Sequence, residues 1–411
     1  MAHLSFFLRG LMAGGVERVM LNLAAAMAAR GHRIDLVVGR LHGPFVDQIP
    51  PTVRVIDLKT RSAYQALPIV ARLGDEAWPA ARMLLTPHAH SILGAVPKLA
   101  QYLARERPDA LLAGIEWPNI AAVLARRLAG GSTRIVLGVH DMLSQRVAQA
   151  NLLQRVSVVP PLVRHYYPQA DAIVAVSNGV AIDTAQITGL PPATITTIYN
   201  PVITPAIATL AEQPADHAWF SDGGPPIIVA AGRLKPEKDF ITLLHAFDRV
   251  RRQRPARLLI LGEGWQRPVL HALIRRLRLH ALVDMPGFVA NPFAFMARAR
   301  LFVLSSRHEG FANVIPEAMA CGCPVVSTDC PSGPGEILDG GRFGTLAAVG
   351  DPAALAAAIL ATWDAAPARA ILRARAAEFS VERATDQYLK VMLPSATSAL
   401  SMVQVSEPEI D

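Results

Sequence analysis

Short uninterrupted apolar runs alternate along nearly the whole chain with stretches whose apolar residues recur every three or four positions. The runs fit strands buried on both faces, and the longer period fits helices with one buried stripe. In the first half the runs predict strands at 4–8, 34–38, 53–56, 110–113, 135–139, 172–176 and 194–198. Between the first two, Val16, Val19, Met20, Leu23 and Met27 share a helical face, and Gly31 supplies a C-terminal stop. The pattern restarts after residue 225, with strands expected at 227–231, 258–261, 301–304 and 324–328. There, Phe240, Leu243, Leu244, Phe247 and Val250 mark the helix that follows the first strand. Strand–helix alternation of this kind predicts parallel α/β sheets, and its restart predicts two of them. The reading is therefore an α/β chain with a doubly wound domain at 1–200, a linker at 201–224 and a second domain at 225–378. Pro201, Pro205, Pro214, Asp222, Gly223 and Gly224 break the periodicity of the linker. A helix at 379–398 and an acidic tail at 399–411, with Glu407, Glu409 and Asp411, complete the chain. Two such domains facing each other form a cleft, and sheets of this type bind ligands beyond the carboxyl ends of their strands.

Composition narrows the class. Of 411 residues, 52% are hydrophobic and 18% charged, which excludes a disordered chain and supplies material for two cores. No apolar run reaches the roughly 18 residues of a spanning helix. The best candidate, 352–363, is short and Ala-rich and reads as a buried helix. Arg9 interrupts the first apolar stretch, so no secretory signal is expected. Three cysteines, Cys321, Cys323 and Cys330, make no disulfide framework and fit a reducing cytosol. The net charge of +7 falls entirely within residues 1–200, where 19 Lys+Arg face 12 Asp+Glu; residues 201–411 balance at 21 and 21. A basic half of this kind fits an anionic partner such as an acidic membrane face, and fits equally a surface of solvated arginines. Nucleic acid is not expected, because no helix-turn-helix, zinc finger or aromatic-interleaved basic stretch occurs.

Candidate chemistry gathers just after predicted strands. The stretch Ser305-Ser306-Arg307-His308-Glu309-Gly310-Phe311-Ala312-Asn313-Val314-Ile315-Pro316-Glu317 follows strand 301–304. It places Glu309 on a loop and Glu317 in the first turns of a helix, with Asn313 as N-cap and Gly322 as terminator. Exposed helix amides suit a phosphate, and carboxylates suit sugar hydroxyls. Taken alone, Glu317 also fits a plain complement to the helix dipole, and Glu309 a solvated loop acid. Gly232-Arg233-Leu234-Lys235-Pro236-Glu237-Lys238-Asp239 follows strand 227–231 and holds two of the five lysines, compact charges that suit a pyrophosphate. A charged loop capping its helix through Asp239 is the plainer alternative. Gly14-Gly15 joins the first strand to the first helix, where glycine lets amides approach a phosphate or simply makes a turn. Gly262-Glu263-Gly264 is not a dinucleotide fingerprint, since Arg267 stands where the third glycine belongs. His140 ends strand 135–139 and fits either a contact to a reacting sugar or a hydrogen bond to a loop. No zinc spacing, no Asp-x-Asp, no Walker A and no Gly-x-Ser-x-Gly occur, so no metal or cofactor is expected.

Glu309 through Glu317 resembles the Glu-x7-Glu motif of retaining GT-B glycosyltransferases of the GT4 type, the group 1 glycosyltransferases. Gly14-Gly15-Val16-Glu17-Arg18-Val19, Gly232-Arg233-Leu234 with Glu237-Lys238, Pro286-Gly287-Phe288-Val289, and Pro316-Glu317-Ala318-Met319-Ala320-Cys321-Gly322 with Pro324-Val325-Val326 follow in family order. The resemblance is specific from about 225 to 345 and looser over 1–200. It implies the GT-B fold, two Rossmann-like domains facing across a cleft, with an acceptor-side domain at 1–200, a nucleotide-sugar domain at 225–378 and a C-terminal helix crossing back. It implies a nucleotide-sugar donor, UDP-linked, and a sugar or lipid-linked acceptor, joined with retained configuration in bacterial polysaccharide or glycolipid assembly. Arg233 and Lys238 would bind the diphosphate, Glu317 the ribose and Glu309 the donor sugar. Phe311 and the amides near Asn313 and Val314 would meet the donor, Val289 would lie against the base, Gly14 and Gly15 would reach the donor, and His140 would stand near its sugar. The implied placement is cytoplasmic, peripheral at the inner face of the membrane, with Arg61, Arg72, Trp78 and Arg82 as an interfacial segment or an ordinary surface loop. Asp239 departs from the family, which often has glycine there. A nucleotide-sugar epimerase of the same fold, or a non-catalytic binding module, are the alternatives.

Overall fold

The computed structural model of the chain describes residues 1–12, 14–60, 89–149 and 159–394. The strands are β1 His3–Leu8, β2 Arg33–Val38, β3 Arg54–Asp57, β4 Ala110–Gly114, β5 Arg134–Val139, β6 Ala172–Ala175 and β7 Ile195–Thr197, then β8 Ile227–Ala231, β9 Arg257–Leu261, β10 Val283–Gly287, β11 Leu301–Leu304, β12 Val325–Thr328 and β13 Thr345–Ala347. The helices are α1 Gly15–Ala29, α2 Ala89–Glu106, α3 Glu116–Ala129, α4 Leu143–Gln149, α5 Val159–Tyr166, α6 Asn178–Thr188, α7 Ala206–Glu212, α8 Phe240–Val250, α9 Arg267–Arg276, α10 Pro292–Arg298, α11 Val314–Ala320, α12 Pro334–Ile337, α13 Pro352–Asp364, α14 Arg369–Ala377 and α15 Val381–Met392. Every strand pairing is parallel. One sheet runs β3-β2-β1-β4-β5-β6-β7 and the other β10-β9-β8-β11-β12-β13.

The chain divides into two compact units, 1–176 with 180–201 and everything from Val381, and 202–380 with Ser177–Gly179. In the first unit Leu4, Phe6 and Leu36 pack against α1 through Met20, Leu23 and Met27, all fully buried. Ala384, Tyr388 and Met392 of α15 join that core, and Arg134 Nε donates to the Val391 carbonyl at 2.8 Å. In the second unit Ile228, Leu258 and Leu301 carry the predicted face of α8, Phe240 to Val250. Buried on both faces, these strands are the apolar runs that periodicity finds.

Three places differ from the pattern. β10 has Val283 and Met285 inside with Asp284 and Pro286 exposed, and β13 is three residues long. Both are edge strands, where half the residues face water and a proline needs no ladder partner. The expected linker carries α7 and is bound to the second unit. Asn291 Nδ2 donates to the Leu210 carbonyl at 2.8 Å, Arg298 reaches the carbonyls of Ala211 and Glu212, and His217 Nε2 lies 3.0 Å from Asp284. Only Ile207 of α7 is buried, so this helix leaves no apolar period to read. The segment with Arg61, Arg72, Trp78 and Arg82, and the acidic tail, lie outside the described residues. Among the described residues no single helix is long and apolar enough to cross a membrane; α13 buries Leu355 and Ile359 in the core.

Strand order fixes where ligands go. In the first sheet β1 neighbours β4, and in the second β8 neighbours β11. At each of these points the connections turn to opposite sides, which opens a crevice at the carboxyl ends.

Candidate functional site

In the second unit, the loop after β8 ends at Lys238 and the loop after β11 holds Glu309, so strand order alone sets these residues side by side. Lys238 Nζ donates to Glu309 Oε1 at 2.5 Å, and Ser306 Oγ donates to the same oxygen at 2.6 Å. Both partners of the ion pair are mostly shielded from water. The backbones are stitched as well: Ser305 Oγ donates to the Lys238 carbonyl at 2.8 Å, and the Arg307 amide to the Glu237 carbonyl at 2.8 Å. Behind the loop, Thr328 Oγ1 donates to the Ser306 carbonyl at 2.6 Å, and Ser177 Oγ to the Gly310 carbonyl at 2.7 Å. Burial, and next the Glu309 carboxylate, push the Cys330 thiol up to about 12, so it stays protonated beside the pair. All three cysteines are free and buried.

Asp239 takes φ +45 and ψ +46, the left-handed region that glycine enters freely and other residues at a cost of about 1 kcal/mol. Its carboxylate is almost fully buried. It accepts from the Thr242 amide at 3.3 Å and Thr242 Oγ1 at 2.8 Å, capping α8, and it pairs with Arg307 Nε at 3.0 Å. The expected cap is therefore real, and the backbone it sits on is one that glycine would adopt without strain.

Glu317 lies in the first turn of α11, half-buried, eight positions after Glu309. Asn313 does stand at the N-cap of α11, yet it makes no side-chain capping bond. Its backbone is helical, φ −48 and ψ −31, and a capping side chain needs the extended backbone that lets it fold back over the first turn. Val314 and Val289 are half-buried, and Arg233 is exposed. Phe311 buries its ring edge-on to Phe379, 5.6 Å between centroids, so the ring belongs to the core. Gly262 and Gly264 pack the loop after β9 against 232–234. A Cβ on Gly262 would lie 2.1 Å from the Gly232 carbonyl oxygen, and one on Gly264 2.3 Å from that of Leu234. The Leu234 amide donates to Glu263 at 2.8 Å across this contact. Two groups escaped the sequence reading as partners, Ser306 and Arg307. Their signal was their position one strand-end before Glu309.

In the first unit, Gly14 is the N-cap of α1 and Gly15 its first residue. A Cβ on Gly14 would lie 2.4 Å from Glu17 Oε2, so the glycine makes room for a buried carboxylate folded over the helix start. Burial pushes His140 down to about 4, leaving a neutral imidazole. Its Nε2 faces Gly114 and Gly138, where a Cβ would lie 3.3 and 2.9 Å away. Asn119 Nδ2 donates to the Gly138 carbonyl and to Tyr167 Oη, both at 2.9 Å. Arg146 Nη1 meets the buried Glu116 at 2.5 Å, just after Ile115, whose φ of +75 is strained for a β-branched residue. Among the described residues no three His, Cys, Asp or Glu side chains converge as a metal-binding set.

Both units match known proteins in sequence and in fold. Residues 13–204 match the family described as Glycosyltransferase Family 4, and residues 225–364 match Glycosyl transferases group 1. The chain is 32% identical over 232 residues, 56% of its own length and 60% of the other's, to the N-acetylgalactosamine-N,N'-diacetylbacillosaminyl-diphospho-undecaprenol 4-alpha-N-acetylgalactosaminyltransferase of Campylobacter jejuni. It is 35% identical over 176 residues to the lipopolysaccharide core biosynthesis glycosyltransferase LpsE of Rhizobium meliloti, 41% of this chain and 49% of that one. The matched stretches thus span about half to three-fifths of these two relatives. Among solved structures, Anabaena HepE in complex with UDP and glucose superimposes with a TM-score of 0.72 at 21% identity, covering 96% of this chain and all of that one. With two parallel α/β units of the GT-B fold and family matches over both, the chain belongs to the group 1, GT4-type glycosyltransferases.

Proposed function

We propose that the chain is a retaining glycosyltransferase that moves a sugar from a nucleoside-diphosphate donor, with UDP as nucleotide, to a hydroxyl of a lipid-linked acceptor in polysaccharide or glycolipid assembly. The observation that carries this reading is the Lys238–Glu309 pair at the switch point of the second sheet, with Glu317 in the following helix turn. In it, Lys238 and Arg233 hold the diphosphate and neutralise charge growing on the leaving oxygen. Glu309, released from Lys238, accepts from donor-sugar hydroxyls, and Glu317 accepts from the ribose. The main chain of 311–314 faces the distal phosphate, Val289 the base, and Gly14 and Gly15 the donor. His140, neutral at working pH, hydrogen-bonds the sugar. The acceptor oxygen bonds to the anomeric carbon on the face the phosphate leaves, the carbon–phosphate-oxygen bond breaks, and the acceptor proton passes to the departing phosphate.

UDP is favoured because HepE binds it, and a lipid-linked acceptor because the Campylobacter relative is named for a diphospho-undecaprenol substrate. The positive excess in residues 1–200 fits work at an anionic cytoplasmic membrane face.

Calorimetric titration with UDP, GDP, ADP and NAD, in EDTA and with magnesium, tests the donor site. Metal-independent binding of one nucleoside diphosphate, weakened in Glu317→Ala, is expected; binding of NAD alone, or of nothing, overturns the reading. Once donor and acceptor are found, the anomeric configuration of the product tests retention, and a trapped covalent glycosyl-enzyme overturns the single-step mechanism. Vesicle sedimentation tests the membrane role: salt-sensitive binding to anionic vesicles supports it, and equal binding to neutral ones overturns it.

A further inference from the structure

We infer that Asp239 and Arg307 are positioning residues that set the Lys238–Glu309 contact. The two pairs are successive rungs between the same two loops. Lys238 and Asp239 are adjacent on one, Arg307 and Glu309 are two apart on the other, and the same loops are joined by the Ser305 hydroxyl on the Lys238 carbonyl and the Arg307 amide on the Glu237 carbonyl. Glycine would satisfy φ +45 at position 239 with less strain and would still let α8 begin. The carboxylate adds what glycine lacks, a buried charge aimed at a guanidinium. Asp239 is 3% exposed, whereas the Arg307 side chain is 55% exposed and makes no other side-chain bond among the described residues. A buried carboxylate holds its partner tightly because leaving it unpaired is costly. The arginine is thereby fixed by its Nε end, and it carries the loop that presents Glu309. Arg307 lies on the loop rather than in the core, so its role is to hold that loop in register with the one bearing Lys238. That these positions matter for donor binding rests on the function proposed above; that they set the lysine–glutamate contact does not.

The test uses the full chain with Asp239→Gly, Asp239→Asn, Arg307→Gln and the Gly/Gln double variant. Reductive methylation followed by peptide mass spectrometry reads the contact directly, since an amine held against a carboxylate is screened from the reagent and five lysines are easily mapped. Lys238 methylates about three- to tenfold faster in each variant while Lys235 does not change, because an amine no longer held against Glu309 is open to the reagent. In parallel, affinity for the nucleoside diphosphate falls about fivefold in each single variant and no further in the double, the signature of groups acting as one unit. Asp239→Asn, which keeps the capping oxygen and loses the charge, behaves as Asp239→Gly does. Wild-type methylation of Lys238 in any of the three single variants overturns the inference, whatever the nucleotide data show. Faster methylation in a chain that binds no nucleotide upholds the positioning and overturns the donor reading alone.

Discussion

Asp35 and Asp239 are both buried and each grips an arginine, yet they sit at opposite ends of their sheets. Asp35, fully buried in β2, accepts from Arg54 Nε at 2.8 Å, from Tyr102 Oη at 2.6 Å and faces His3 Nε2 at 2.8 Å. It pairs with Ser5 of β1 and Arg54 of β3 near the amino ends of the strands. Asp239, in the loop beyond β8, grips Arg307 at the carboxyl side. The chemistry is the same, and location divides the roles. Doubly wound sheets take their ligands at the carboxyl ends, so the first cluster is a rivet and the second borders the site. The richness of an ionic network says little about function until its end of the sheet is known.

Breaking each cluster sharpens that contrast. The largest effect is expected at Lys238 and Glu309. Lys238→Ala and Glu309→Gln each lower sugar transfer roughly a hundredfold or more, read as nucleoside-diphosphate release, while the thermal midpoint stays within about 2 °C. Asp35→Asn does the reverse. It leaves nucleotide affinity unchanged and lowers unfolding free energy by about 3 kcal/mol in urea, because the charge facing Arg54 is lost and one of the two accepting oxygens becomes a donor. A midpoint shift in the first variants, or a binding loss in the second, would erase the distinction.

Acid sharpens it further. Burial alone would raise the Asp35 carboxyl, but the hydrogen bonds from Arg54, Tyr102 and His3 outweigh it and hold the group below its ordinary 3.8. A folded-state pKa below the unfolded one stabilises fully above the ordinary carboxylate range, and that stabilisation drains away as pH falls through the lower, folded value. Urea midpoints of wild type and Asp35→Asn should therefore stand apart at pH 6 and converge below about pH 3.8. The smallest effect belongs to His140. Already neutral, it adds no step to the rate between pH 6 and 8, so His140→Asn should scale activity by one constant factor across that range. A limb near 6.5 that vanishes in the variant would contradict its burial.

Much of the fold is legible in the chain because eleven strands are apolar enough to be read as runs, and the helix faces of α1 and α8 repeat cleanly. β10 is hidden by Asp284 and Pro286, which an edge tolerates, and α7 by having one buried residue. Lys238 and Glu309 could be found because each follows a readable strand. Their contact, and that of Asp239 with Arg307, spans about seventy positions and exists only because β8 lies beside β11, a neighbourhood that no local pattern encodes. The Asn313 cap failed for a related reason: residue type proposes a cap, but the backbone angle, set by the loop before it, decides.

Helix α15 carries a consequence for how the protein is made. The ribosome releases residues 1–201 first, yet the core around Phe6 and Leu23 lacks Ala384, Tyr388 and Met392 until the second unit has been made. The second unit, nearly continuous from 202 to 380, has its whole core in hand before then. The half begun first is completed only after the other. A message truncated just before Val381 would deliver a sound second half joined to a first half with an uncovered oily flank, a natural target for chaperones and proteases.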